Sequence, residues 1–224
     1  MLILAIDTSG RSGSVALARG DAEYFEVLQT ADLTGGMYSA QLIPAVTKLL
    51  EFCRAGKHDL DAFAVASGPG SFTGLRVGLS AVKGLAEILN KPIAAVSVLE
   101  TIAAASDQSG RVIAALDAGR KEIYVGEFDV RGGRSAVVRE SLLSQAQFSA
   151  LLEAHPGAEL ITPDFSIAEL AGMHLHVKQI SAPKAEDFAR LGLRKILSGE
   201  VVAPDLLEAN YIRRSDAEIF SKGR

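Results

Sequence analysis

The chain has 224 residues, of which 48% are hydrophobic and 22% charged, and its formal net charge is −4. These values are typical of one large or two small globular domains, and they exclude a general basic field that would attract nucleic acid. The single cysteine, Cys53, excludes an internal disulfide. The apolar run at residues 2–6 is too short for a signal peptide or a membrane span, so we expect a cytoplasmic protein that contacts no membrane.

The first half of the chain is predicted to contain three strands followed by alternating helices and strands. In chain order the predicted elements are strands at 3–7, 14–18 and 22–28, a helix at 39–54, a strand at 62–66, a helix that ends near 89, a strand at 93–96 and a helix at 98–105. The apolar residues of the first helix fall on one face: Leu42, Ile43, Val46, Leu49 and Leu50.

The second half repeats this order. Its predicted elements are strands at 113–117, 122–128 and 135–140, a helix at 144–154, a strand at 159–162, a weaker helix at 166–171, a strand at 175–180 and a helix at 185–197. In both copies the first strand ends in an aspartate, Asp7 or Asp117. Two βββαβα halves resemble the α/β fold shared by actin, the heat-shock ATPases and the sugar kinases, which is the actin-like ATPase or ribonuclease H-like fold. We expect one half at residues 1–106 and the other at 107–224, with the last helix able to pack back on the first half.

The two aspartates have two interpretations. In the actin-like fold the aspartate-bearing hairpins face a nucleotide, and a carboxylate there can hold Mg²⁺ through water. Alternatively, each aspartate accepts N–H bonds from its own turn, which we favour for Asp117. No tightly bound cofactor is expected, because residues 160–165 lack the glycine pair of an adenosine loop; ATP or ADP with Mg²⁺ at a partner interface stays open. The residues expected to face a nucleotide or phosphate are Asp7, Ser9, Ser71, Thr73 and Asp117.

The segment at residues 67–78, Ser-Gly-Pro-Gly-Ser-Phe-Thr-Gly-Leu-Arg-Val-Gly, lies between a predicted strand and a predicted helix. A Gly-rich loop before a helix can bind an anion through its N–H groups, although the spacing is neither a Walker A nor a dinucleotide motif. Gly74, Gly78, Ala81 and Gly84 leave one side of the helix almost without bulk. Such a side indicates either close packing within the domain or a protein interface.

This segment is similar to the signature of the TsaB (YeaZ) family of bacterial tRNA threonylcarbamoyladenosine biosynthesis proteins. Residues 4–9, 115–124 and 211–213 match further motifs in order, so the resemblance covers essentially the whole chain. It implies a non-catalytic paralogue of the enzyme TsaD that pairs with TsaD through N-terminal helices. With the ATPase TsaE, such a protein supports transfer of threonylcarbamoyl to the adenosine beside the tRNA anticodon. Alone it forms homodimers through much the same surface, and it meets tRNA only through the complex.

The resemblance also implies which residues form the partner interface: Tyr38, Leu42, Gly74, Leu75, Gly78, Ala81 and Val82. TsaD-like proteins bind a metal through two histidines four residues apart on a helix, and Tyr38 and Leu42 stand at the corresponding positions. Neither is a plausible metal ligand, so we expect no metal and no catalytic residue.

Two other functions stay open, an independent metallopeptidase and an ATP-using enzyme of the same fold. Against them, no base accompanies Ser67, Ser71 or Thr73 in a motif, and His174 and His176 have no third ligand. The basic tail, at residues 213–214 and 222–224, is predicted to be a solvated end, with an RNA contact as the alternative.

Overall fold

The computed structural model describes residues 1–132, 134–172 and 176–213. Its contacts group the chain into two compact units, Met1–Val98 with Pro183–Ala209, and Leu99–Ala182 with the segment that begins at Asn210. His174, Arg214 and residues 222–224, which carry predictions above, lie outside the described residues. Among the described residues, no helix is long and apolar enough to cross a membrane.

The elements alternate as the repeat predicts. They are β1 Leu2–Asp7, β2 Ser12–Gly20, β3 Phe25–Thr34, α1 Tyr38–Phe52, β4 Ala62–Gly68, α2 Phe72–Leu89, β5 Ile93–Ser97, α3 Val98–Ala103, β6 Gly110–Gly119, β7 Glu122–Arg131, β8 Arg134–Ser144, α4 Gln145–Ala154, β9 Glu159–Thr162, α5 Phe165–Leu170, β10 His176–Gln179 and α6 Ala185–Leu197.

The strand order of the two sheets confirms the duplicated fold. The first sheet runs β3-β2-β1-β4-β5 and the second β8-β7-β6-β9-β10. In each sheet the first three strands pair antiparallel and the other two are added in parallel. This is the predicted α/β architecture of the actin-like fold, with two βββαβα halves. Every residue of β1 and of β4 is buried, which is expected for central strands covered on both faces.

Helix α6 belongs to the first unit, where it contacts β1, β2, β4 and β5. It comes very close to the sheet because Gly192 has no side chain, and a Cβ built there would lie under 3.0 Å from the Cβ of Ala64. At the start of the helix, Ala185 donates its N–H to the Oγ of Ser14, at 2.8 Å. Helix α6, although it lies far along the sequence, therefore completes the core of the unit that the first strands begin.

Strand β3 differs from its prediction, which was residues 22–28. The carboxylate of Asp21 accepts the N–H groups of Glu23 and Tyr24, so this stretch is a turn and the strand begins only at Phe25. The strand then continues to Thr34 through a bulge opposite Leu17 and Ala18. Its second half is rich in polar residues, as an edge strand allows. Apolar runs in the sequence therefore do not predict that residues 29–34 belong to the strand.

Two N–H groups at the free edge of β3 are bound by glutamine side chains. Thr34 donates its N–H to Oε1 of Gln41 on α1, at 2.8 Å, and Thr30 donates to Oε1 of Gln29, at 3.1 Å. These N–H groups point away from β2 and would otherwise be open to another strand. At the opposite edge, the N–H of Val202 donates to the carbonyl oxygen of Ile93 on β5, at 2.8 Å.

Replacing Gln41 tests this protection. In Gln41→Ala we expect the Thr34 amide proton to exchange with solvent about 5- to 10-fold faster, because one hydrogen bond contributes about 1 kcal/mol. Hydrogen exchange followed by NMR measures it. Lys48→Ala, a change on the same helix without a bond to the strand, is the control; equal exchange of Thr34 in both variants would contradict the assignment.

Candidate functional site

The centre of the candidate site is the turn that follows β1. Asp7 ends this strand and is only 4% exposed, and its Oδ1 accepts the N–H of Ser9 at 2.9 Å and the Ser9 hydroxyl at 2.6 Å. Burial raises the pKa of Asp7 to about 6, although the two bonds from Ser9 act in the opposite direction. The negative charge of Asp187 adds to the increase. Asp7 is thus a buried carboxylate that accepts hydrogen bonds from its own turn.

The Gly-rich segment is attached to this turn by hydrogen bonds in both directions. The N–H of Ser71 donates to the carbonyl oxygen of Ser9 at 2.7 Å, and the Thr8 hydroxyl donates to the carbonyl oxygen of Gly74 at 2.7 Å. The hydroxyl of Ser71 caps α2 by accepting the N–H of Gly74, at 3.3 Å. The N–H groups of Ser71 and Gly74 are therefore engaged within the unit, and a phosphate cannot use them in this arrangement.

Three glycines make this close approach sterically feasible. A Cβ built on Gly70 would overlap the carbonyl oxygen of Ser9, one on Gly74 that of Thr8, and one on Gly78 the hydroxyl of Thr8, each under 3.0 Å. The glycines are spaced by four residues, so the two on α2 share the helix face that lies on the turn. The signature segment and the Asp7–Ser9 motif are consequently one packed structure, and Thr8, which the sequence analysis did not single out, provides its central contacts.

The residues predicted for the partner interface lie mostly in the core of the first unit. Tyr38, Leu42, Leu75 and Val82 are at most 6% exposed, and Gly74 and Gly78 are buried as well; Ala81 is half-buried. Only part of the helix side that has little bulk in the sequence is covered: Gly74 and Gly78 pack on the turn after β1, on Ile6 and on the Tyr38 ring, whereas Gly84 is exposed. For Gly74 and Gly78 this arrangement supports close packing within the domain, which is one of the two alternatives that the sequence leaves open, and their role in a partner interface stays a prediction.

Other faces of the same helices are exposed. Ile43 on α1 is 49% exposed and Ile88 on α2 is 80% exposed, whereas the sequence analysis placed Ile43 on the apolar, inward face. Ser80 and Gly84 also lie on the outer side of α2, and a Cβ built on Gly84 meets no described atom within 4 Å. A large apolar residue amid small and polar ones on a helix surface is the signal that could have identified this face.

The remaining predicted site residues are exposed or serve their own turns. In the second unit, Asp117 is exposed; its Oδ1 accepts the N–H of Gly119 at 2.8 Å, and its N–H donates to Oδ2 of Asp164 at 2.7 Å. This is the local turn bonding favoured for Asp117. Ser9 is buried, while Ser71 and Thr73 are exposed at the start of α2, where their role toward a nucleotide stays a prediction.

The C-terminal motif contacts the hairpin that carries Asp117. The guanidinium of Arg213 forms an ion pair with the carboxylate of Glu122, and it lies 5.8 Å from the centre of the Tyr124 ring. The ion pair thus joins, within the second unit, two segments that match separate sequence motifs, residues 115–124 and 211–213. Elsewhere in that unit, His176 is exposed on β10. No group of three or more His, Cys, Asp or Glu side chains placed to hold a metal occurs among the residues with described positions.

Alanine substitutions distinguish the packed glycines from the exposed one. Gly74→Ala and Gly78→Ala should each lower the free energy of unfolding by about 1 to 3 kcal/mol, because the new methyl group overlaps the Asp7–Ser9 turn. Gly84→Ala is the matched control on the same helix, and it should raise the free energy by about 0.5 to 1 kcal/mol through helix propensity. Urea denaturation measures all three, and equal effects would contradict the packing described.

The buried carboxylate predicts a pH dependence of stability. Because the pKa of Asp7 is about 6 in the folded chain and near 3.8 when unfolded, the folded state binds more protons between these values, so stability falls as pH rises from 4 to 6. Asp7→Asn should remove this fall and be more stable than the wild type at pH 8, by roughly 2 to 3 kcal/mol. Denaturation at several pH values measures the difference. A difference that is independent of pH would contradict the raised pKa.

Comparison with known proteins assigns the family. A family model described as TsaD, tRNA N6-adenosine threonylcarbamoyltransferase, matches residues 32–209. The tRNA threonylcarbamoyladenosine biosynthesis protein TsaB of Escherichia coli (strain K12) is 30% identical over 230 residues, covering 97% of this chain and 96% of that protein. The protein of the same name from Bacillus subtilis (strain 168) is 41% identical over 137 residues, covering 59% of this chain but only 57% of the relative.

A solved structure agrees with these relatives. YeaZ from Pseudomonas aeruginosa superposes with a TM-score of 0.78 at 27% identity, over 94% of this chain and 99% of that one. The sequence signature, the duplicated sheet order and the near full-length match to the Escherichia coli relative lead to one assignment. The chain belongs to the TsaB (YeaZ) family of tRNA threonylcarbamoyladenosine biosynthesis proteins.

Proposed function

We propose that the chain is a protein-binding subunit, without catalysis of its own, of the assembly that adds threonylcarbamoyl to the adenosine beside the tRNA anticodon. Its partners are a TsaD-like catalytic subunit and a TsaE-like ATPase, and it contacts tRNA indirectly, through the complex. The near full-length match to a relative named for tRNA threonylcarbamoyladenosine biosynthesis is the observation that carries this proposal. The internal use of the N–H groups of Ser71 and Gly74 supports a structural rather than a phosphate-binding role for the signature.

The partner surface that we propose is the outer face of α1 and α2. Both helices belong to the first unit and contact each other. Ile43 and Ile88 provide exposed apolar area, while Ser80, Ala81 and Gly84 allow another helix to approach closely. The same face serves a homodimer when the partner is absent, so the two associations compete. The buried residues of the earlier interface set, Tyr38, Leu42 and Leu75 among them, act by holding these helices in place.

A nucleotide at this site would need groups from a partner. The Gly-rich segment does not fit a phosphate cradle in its present arrangement, because two of its N–H groups bind within the unit. Asp7 is nearly inaccessible, and its Oδ1 already accepts two hydrogen bonds. ATP or ADP with Mg²⁺ is therefore proposed only for the assembled complex. Calorimetric titration of the chain and of the complex distinguishes the two cases.

Charge placed on the exposed helix face should disrupt the complex. We expect Ile88→Glu to weaken binding to the TsaD-like subunit of the same organism at least 10-fold, because burying an uncompensated carboxylate costs more than about 1.4 kcal/mol. Val137→Glu, at a residue 63% exposed on β8 in the second unit, is the matched control and should bind like the wild type. Calorimetry measures affinity, and a reconstituted tRNA modification assay with the TsaE-like ATPase measures function.

Three results would contradict the proposal. A wild-type chain that does not bind the TsaD-like subunit, or that leaves tRNA modification unchanged, rejects the subunit role. If Ile88→Glu and Val137→Glu weaken binding to the TsaD-like subunit equally, the outer face of α1 and α2 is not the partner surface. ATP turnover by the pure chain, lost in Asp7→Asn, would instead favour an ATP-using enzyme.

A further inference from the structure

Tyr38, the first residue of α1, lies where four segments of the first unit meet. Its side chain is 6% exposed. A Cβ built on Gly13 in β2 would come 2.8 Å from Cε1 of the ring, and one built on Gly74 in α2 would come 3.2 Å from Cε2. The ring therefore fills a narrow space between a strand and a helix that only glycines leave open.

The hydroxyl of Tyr38 has a specific partner. It donates a hydrogen bond to the carbonyl oxygen of Gly10, at 2.9 Å. Gly10 directly follows the Asp7–Ser9 turn, so this bond connects the start of α1 to the far end of the turn. Burial raises the pKa of Tyr38, and the nearby charge of Asp7 raises it further, so the hydroxyl keeps its proton and remains a donor at neutral pH.

The other contacts of the turn come from a different direction. Ser71 and Gly74, at the start of α2, hold Ser9 and Thr8. Of the hydrogen bonds described for the turn, the one from Tyr38 joins it to α1. Removal of this bond would leave the turn anchored to α2 while its second half could move relative to α1.

We propose that Tyr38 is a positioning residue whose hydroxyl holds the Asp7–Gly10 turn in one arrangement against the first turns of α1 and α2. Its ring determines the distance between β2 and α2, and its hydroxyl determines the backbone path of the turn. The inference rests on the proposed function only in that α1 and α2 form the partner surface. The position of the turn and the position of that surface are then coupled through one side chain.

The experiment separates the hydroxyl from the ring. Tyr38→Phe removes only the hydroxyl, and Tyr24→Phe is the matched control, because the Tyr24 hydroxyl donates to the carboxylate of Glu26 at 2.6 Å elsewhere in the same unit. Amide exchange at residues 8–11 and the NMR titration of the Asp7 carboxyl are measured in the free chain. The charged group that raises the pKa of Asp7 is Asp187, and it is unchanged in both variants.

In Tyr38→Phe we expect amide exchange in the turn to rise about 3- to 10-fold, as the loss of one hydrogen bond predicts. The titration midpoint of Asp7 should move from about 6 toward its ordinary value, because a looser turn admits water to the carboxylate. Tyr24→Phe should change neither quantity. Affinity for the TsaD-like subunit should fall about 3-fold or more in Tyr38→Phe alone.

Unchanged exchange and an unchanged Asp7 midpoint in Tyr38→Phe would overturn the proposal, since the ring alone would then suffice. The same changes in Tyr24→Phe would also overturn it, because they would not be specific to the turn. If the wild-type chain binds no TsaD-like subunit, the proposed function fails while the free-chain measurements still decide the role of Tyr38.

Discussion

The first unit depends on the close approach of α2 to the turn after β1. The loop and the helix can lie this near the turn only at residues without a side chain. Gly70 in the loop and Gly74 and Gly78 in α2 are such residues, at intervals of four. The contact brings the N–H of Ser71 to the carbonyl oxygen of Ser9, and the hydroxyl of Thr8 to the carbonyl oxygen of Gly74. The Tyr38 ring lies against the same helix at Gly74.

This contact gives the Gly-rich segment before α2 a structural role. Such segments are often built to bind anions, because their N–H groups point outward. Here the N–H of Ser71 binds the carbonyl oxygen of Ser9, and the N–H of Gly74 binds the hydroxyl of Ser71. The segment therefore connects two parts of the same unit. The polar groups of the segment thereby stabilise the unit itself in this arrangement.

Much of the architecture could be predicted from the sequence because it depends on local patterns. The duplicated order of elements and the bounds of β9 and α6 follow from apolar periodicity, and the structure confirms them. Strand β3 could not be placed correctly, since an edge strand need not be apolar. The burial of Gly74 and Gly78 could not be predicted either, because a small side chain fits equally well against a partner or against the same domain. That choice depends on where Thr8 lies, which is tertiary information.

At both edges of the first sheet, some backbone groups form hydrogen bonds within the chain itself. Glutamine amides take the place of a neighbouring strand along part of β3, and Val202 pairs with β5 at the other side. Recognition by strand addition, a common way for sheet proteins to recruit extended peptides, is thereby disfavoured for this unit. An extended peptide would have to displace these internal hydrogen bonds before it could add to the sheet at those positions.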